Sequence, residues 1–141
     1  MGSIKLDDRS LRMMNVFFSN TKVEVMDVLE EDSVIVFVIF PGSLQKAIQN
    51  NGANIQKVRE MLGKNIWVLE YSMDPKRFIS NFFYRFRVTN VELDDANGKF
   101  SIVVHVNMAE KARAIGKDGK NLKLARELMN RYFPVESIQI Q

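Results

Sequence analysis

The sequence of 141 residues contains no cysteine, one histidine and only three prolines. Without cysteine, neither a disulfide framework nor a cysteine-ligated zinc site is available. The single imidazole, His105, sits between Val104 and Val106 on an expected strand; it reads as a packed or edge residue, and no histidine-based catalysis is expected. Long apolar runs are missing too. The longest, residues 34–40, stops at Pro41-Gly42, far short of the roughly 20 residues a spanning helix needs. Near the N-terminus Lys5, Asp7, Asp8 and Arg9 interrupt any signal-like apolar stretch. No P-loop, dinucleotide fingerprint or nucleophile elbow occurs. Asp94-Asp95 precede Asn97-Gly98 and read as a turn, not a metal pair. The expectation is a soluble, cytoplasmic protein that is not an enzyme, with no cofactor, no metal, no membrane partner and no small-molecule substrate.

What is present is 46% hydrophobic content, 26% charged residues and a net charge of +3. That suffices for one ordinary core or two small ones. The charge is unevenly placed. Residues 1–41 carry four Lys/Arg against seven Asp/Glu, whereas residues 110–131 carry seven Lys/Arg against three Asp/Glu. A basic cluster of this kind is commonly a solvated helix face and only sometimes a site for polyanions.

A shift of 67 positions superposes the chain on itself without a gap. Ala47, Ile48, Gly52, Asn54, Arg59 and Glu60 then meet Ala114, Ile115, Gly119, Asn121, Arg126 and Glu127. The same offset lays the apolar residues 34–40 over residues 101–107. An internal repeat turns the question from one large domain to two small similar ones. The boundaries expected are 1–72 and 73–141. The link, Tyr71-Ser72-Met73, has no Gly/Ser-rich run, so the pair is expected to be rigid.

Each repeat reads α-β-β-α-loop-α-β. In the first, Leu11, Met14 and Phe18 have helical spacing and predict a helix over 7–19. Residues 23–28 and 34–40 predict strands, the second strongly β-branched and buried. Ser43 and Asn54 are expected caps of two following helices, Gly63 a helix stop, and residues 66–70 the closing strand containing Trp67. In the second repeat, Asp74-Pro75 opens a helix through Phe78, Phe82 and Phe83. Strands are expected over 86–93 and 100–106, joined by a turn over 94–98. Helices over 108–115 and 121–133 and a strand over 137–140 complete it. Met13-Met14 and Phe82-Phe83 read as core or interface.

Between the last two helices the chain reads Ala114-Ile115-Gly116-Lys117-Asp118-Gly119-Lys120-Asn121-Leu122. A helix end, a glycine turn and a new helix start gather backbone N–H groups that favour phosphate oxygens. A Cβ at the glycines would hold a phosphate away from the backbone. Lys117 and Lys120 add attraction that salt weakens. Asp118 opposes it, and its local reading is a cap of the following helix. The equivalent first loop reads Gln49-Asn50-Asn51-Gly52, with neither the first glycine nor a lysine.

These loops, in this frame, resemble the Gly-x-x-Gly element of KH domains, which clamps single-stranded RNA. With Val68-Leu69-Glu70-Tyr71-Ser72, and with Lys123-Leu124-Ala125-Arg126 following the second loop, nearly the whole chain from Ile4-Lys5-Leu6 onward is similar to the archaeal NusA-like transcription elongation and termination factors. The resemblance implies an α+β fold of two tandem type II KH domains. It also implies a transcription factor that binds single-stranded RNA and acts in termination or antitermination, with RNA polymerase or other transcription factors as partners. Carried onto this sequence, the RNA-binding residues are Ile115, Gly116, Lys117, Asp118, Gly119, Lys120, Asn121, Lys123 and Arg126. Weaker candidates in the degenerate first domain are Asn50, Asn51, Gly52 and Asn54. The alternative is a divergent KH fold serving as a protein-interaction module with little RNA binding.

Overall fold

A computed structural model describes residues 7–141; residues 4–6, where the resemblance begins, lie outside the described part. The chain divides into two compact units, one ending at Tyr71 and the other continuing from Ser72.

In the first unit α1 (Asp8–Thr21) buries Met13, Phe17 and Thr21, a four-residue spacing that puts them on one face. Its N-terminus is capped by Asp7, whose Oδ1 accepts from the Ser10 N–H at 2.7 Å. Three strands follow this helix: β1 (Val25–Glu30), β2 (Val34–Ile39) and, after α2 (Leu44–Ile48) and α3 (Ala53–Leu62), β3 (Asn65–Glu70). β2 is central, antiparallel to β1 with Val28 opposite Phe37, and parallel to β3 with Phe37 opposite Val68. Parallel neighbours cannot be joined by a tight turn, so the chain must cross over between them. The pair α2–α3 is that crossover, and its loop is anchored by strands at both ends. The core gathers Met13 and Phe17, Val28, Ile35, Phe37 and Ile39, and Ala47 and Val58. The Phe17 and Phe37 rings lie 4.6 Å apart. Trp67 is half-buried on β3.

The second unit repeats the plan with α4 (Pro75–Phe82), β4 (Val88–Ala96), β5 (Lys99–Val106), α5 (Lys111–Ile115), α6 (Lys120–Asn130) and β6 (Val135–Ile140). β5 is central, antiparallel to β4 and parallel to β6. Asp74 caps α4 as its spacing predicts, accepting from the Lys76 N–H at 3.0 Å, with Pro75 at the first helical position. Phe78, Ile79, Phe82 and Phe83 are buried, α4 packs on α6, and α6 buries Leu124, Ala125, Leu128 and Met129. Two three-stranded mixed sheets, each with this helix order, form the α+β tandem KH architecture.

Several boundaries differ from the sequence expectation. Phe86 is not the start of a strand; it is buried in a single 3-10 turn (Tyr84–Phe86), and Arg87, left-handed at φ 58°, redirects the chain into β4. β4 does not end at Leu93. Asp94, Asp95 and Ala96 pair with Ser101, Phe100 and Lys99, leaving Asn97-Gly98 as a two-residue turn with φ of 56° and 77°. Two successive positive φ values match the strand twist, which a longer turn would not need. α6 stops at Asn130, whose side chain accepts from the Val135 N–H at 3.2 Å and draws the chain into β6. The helix expected from Met108 is a 3-10 turn (Met108–Glu110) before the short α5. His105 lies on β5 with Nε2 against a carboxylate oxygen of Glu92 on β4. Among the described residues no helix is long and apolar enough to cross a membrane.

Glu30, at the end of β1, joins three elements. Both of its carboxylate oxygens receive Arg9 from α1, and Oε2 receives Lys64 Nζ at 2.9 Å. The Arg9 hydrogen bonds, reinforced by Lys64, hold the carboxyl at about 2 against an ordinary 4.5. The folded state therefore binds fewer protons than the unfolded one at this site, and stability rises with pH. Glu30→Gln is expected to cost about 1 kcal/mol at pH 7. That gap should close as pH falls from about 4.5 toward 2. Thermal unfolding of both proteins across that range checks it; a gap independent of pH would count against the ion-pair account.

Candidate nucleic-acid interface

Residues 116–119 turn the chain between α5 and α6, the two halves of the second crossover. α5 closes with the Gly116 N–H donating to Ala112 O at 3.0 Å. Gly116 then takes φ 82° and ψ 162°, a region essentially reserved for glycine. Asp118 (φ 56°, ψ 25°) and Gly119 (φ 72°, ψ 19°) are left-handed, and the Gly119 N–H returns to Gly116 O at 3.0 Å. Among the described residues, no backbone acceptor meets the N–H of Lys117 or of Asp118. These two donors lie at the start of α6, where the helix end carries partial positive charge.

Most of the expected residues reach the surface, on the turn itself or along α6 beyond it. Lys117, Asp118, Lys120, Lys123 and Arg126 are exposed, and Ile115 and Leu122 are half-buried beside them. Lys117, Lys123 and Arg126 form no ion pair among the described residues. Asn121 is different. It is only 8% exposed, and its Nδ2 donates to Arg113 O at 3.0 Å, so its amide faces the protein and not the solvent. Asp118 does not cap α6, which has no side-chain cap at all. Its local reason is conformational, since aspartate and asparagine tolerate the left-handed region better than most residues. Asn51 occupies the matching position of the first loop at φ 57°, a pairing that was visible in the repeat.

Arg113 is engaged within its own unit. Its Nη1 lies 2.8 Å and 2.7 Å from the two carboxylate oxygens of Glu110, and its guanidinium stands over the Phe86 ring at 5.8 Å. The three-residue spacing of Glu110 and Arg113 signals such a pair in sequence.

The first loop follows another path. Gln49, where the second loop has Gly116, keeps the same ψ of 162° but takes φ of −58°. The positive φ passes to Asn50 (58°), so Asn50, Asn51 and Gly52 are three left-handed residues in succession. In the second loop the position of Asn50 is held by Lys117, which has no positive φ. Ser43 stands at the start of α2 without a side-chain cap bond, and Gly52, not Asn54, holds the cap position of α3. Asn54 lies inside α3, half-buried, with no counterpart of the Asn121 bond among the described residues.

Comparisons of the sequence with known proteins point to one family. Residues 75–141 match the NusA-like second KH domain. The chain is 31% identical over 141 residues to a "Probable transcription termination protein NusA" of Thermoplasma acidophilum, covering 100% of this chain and 98% of that one. A protein of the same name from Methanococcus vannielii is 30% identical over 137 residues, covering 97% of this chain and 79% of its relative. Among solved structures, the crystal structure of APE1850 aligns with a TM-score of 0.75 at 34% identity, over 96% of this chain and 100% of that one.

Proposed function

We propose, because the chain belongs to the NusA-like family of transcription termination proteins, that it grips single-stranded RNA with the loop at residues 116–119. In this reading it modulates termination or antitermination with RNA polymerase, in the cytoplasm. The observation that carries the reading is the intact glycine pair of that loop, with Gly116 in its glycine-only conformation. A phosphate would be met by the Lys117 and Asp118 N–H groups and by the charges of Lys117, Lys120, Lys123 and Arg126. Bases would lie over Ile115 and Leu122, with their edges read by neighbouring polar groups. Asp118 lowers the affinity of this grip, because its carboxylate faces the same polyanion.

The first unit takes the scaffold role. Gln49 brings a Cβ where close phosphate approach needs none, and the loop has no lysine, so Asn50, Asn51, Gly52 and Asn54 contribute little to RNA. This altered backbone is also what favours the second reading, a KH fold that docks on polymerase or another protein.

Titration of a labelled single-stranded RNA at low and moderate salt separates the two readings. Lys117→Asp is expected to weaken binding about tenfold and to reduce the salt slope by about 1. If wild-type protein does not bind, or binds no better than the variant, the RNA-gripping reading is wrong.

A further inference from the structure

The second loop is held from beneath by a side chain that cannot itself reach a ligand. We infer that Asn121 is the positioning residue of the 116–119 loop, acting through Gly116 and the end of α5; this rests on the RNA-gripping reading above. Three observations carry it. Asn121 spans back eight residues, its Nδ2 donating to Arg113 O at 3.0 Å. That carbonyl lies in the last turn of the five-residue α5, where helix C=O groups run out of intrahelical partners. A buried amide thus satisfies an end that the helix alone leaves open.

The second observation is contact. A Cβ placed on Gly116 would lie 2.9 Å from Asn121 Cγ, 3.0 Å from its Nδ2 and 3.0 Å from its backbone N. The glycine is therefore seated directly against the asparagine, and its conformation and the asparagine's position fix each other. The other loop glycine has no such neighbour: nothing lies within 4 Å of a Cβ on Gly119. The requirement for glycine at position 116 is thus steric as well as conformational, and the steric part comes from Asn121.

The third is the natural comparison inside the chain. The first loop keeps the asparagine, Asn54, but has lost the glycine, and the backbone there has moved its positive φ from position 49 to position 50. Among the described residues Asn54, without its glycine, makes no bridge to the preceding helix. The two residues work as a pair, and the pair holds the Lys117 and Asp118 N–H groups in place for a ligand.

The test uses the full chain, with Asn121→Ala and the near-isosteric Asn121→Asp, which keeps the shape and loses the donor. Amide hydrogen exchange and RNA titration are both read, so that a wild type without RNA affinity overturns the RNA reading while exchange still judges the positioning role. The expected result is at least tenfold faster exchange at Gly116 and Gly119 in both variants, with β5 unchanged, and an RNA affinity about fivefold lower for Asn121→Ala. Loop exchange unchanged within twofold would overturn the inference. So would acceleration spread evenly over the second unit, which would make Asn121 a contributor to global stability alone.

Discussion

Gly116→Val is expected to destabilise the second unit by about 2–4 kcal/mol, combining backbone strain with overpacking, and to abolish RNA binding. At φ 82° and ψ 162° an L-residue is strained before any contact is counted. A Cβ there also meets Asn121 Cγ at 2.9 Å and its main-chain nitrogen at 3.0 Å. Main-chain atoms of a helix start cannot rotate away as a flexible side chain could. The new methyl groups of valine add further volume at the same point. Gly119→Asn is the matched control. Its φ of 72° and ψ of 19° lie in the left-handed region, nothing lies within 4 Å of a Cβ there, and asparagine visits this region. The cost should stay near 1 kcal/mol or below. Denaturant unfolding of the two variants measures the difference. Equal costs at the two glycines would mean that the Gly116–Asn121 contact is not what the first glycine serves.

Phe37→Ala should remove about 3–5 kcal/mol from the first unit, the usual range for a buried phenylalanine. Phe37 is fully buried in the middle of β2, flanked by Val28 on β1 and Val68 on β3. Its ring stacks on Phe17 of α1 at 4.6 Å, so truncation empties space between helix and sheet. The central strand cannot shift to fill it without moving both neighbours, which argues for the upper part of the range. Phe18 is the contrasting neighbour of Phe17, 43% exposed on the same helix, and Phe18→Ala should cost roughly 0.5 kcal/mol. Equilibrium urea unfolding of the two variants provides the comparison. A loss below about 1.5 kcal/mol for Phe37→Ala would show that the site collapses around the missing ring.

The architecture was legible in the sequence because the repeat carries it. Once residues 34–40 align with 101–107, the same element order follows for both halves. Local rules worked where one residue decides one feature: Asp74 and Pro75 start α4, and Gly63, at φ 74°, ends α3. They failed inside the tight turns. Ser43, Asn54 and Asp118 have the composition of helix caps, but the backbone path through each loop sets their conformation first. Asp118 is there because it accepts a left-handed φ, and Asn54 and Asn121 fall one position inside their helices. The Asn121 bond to Arg113 could not be read locally, because it depends on the angle between two helices. The Arg113–Glu110 pair was legible in spacing, whereas the Phe86 ring beneath it was not, since Phe86 was expected in a strand.

The mixed sheets also order events in time. The β4–β5 hairpin closes through two residues, Asn97 and Gly98, and such local pairings form within microseconds. β6 can join β5 only after the whole crossover, residues 107–134, has been made and has folded across the sheet, a distant pairing with a larger closure entropy. On the ribosome the hairpin emerges first. The crossover that carries the glycine turn is closed at both ends only when residues 135–140 have left the exit tunnel and paired with β5. A nascent chain halted before that point would carry every residue of the turn without the strand that closes the sheet beneath its crossover.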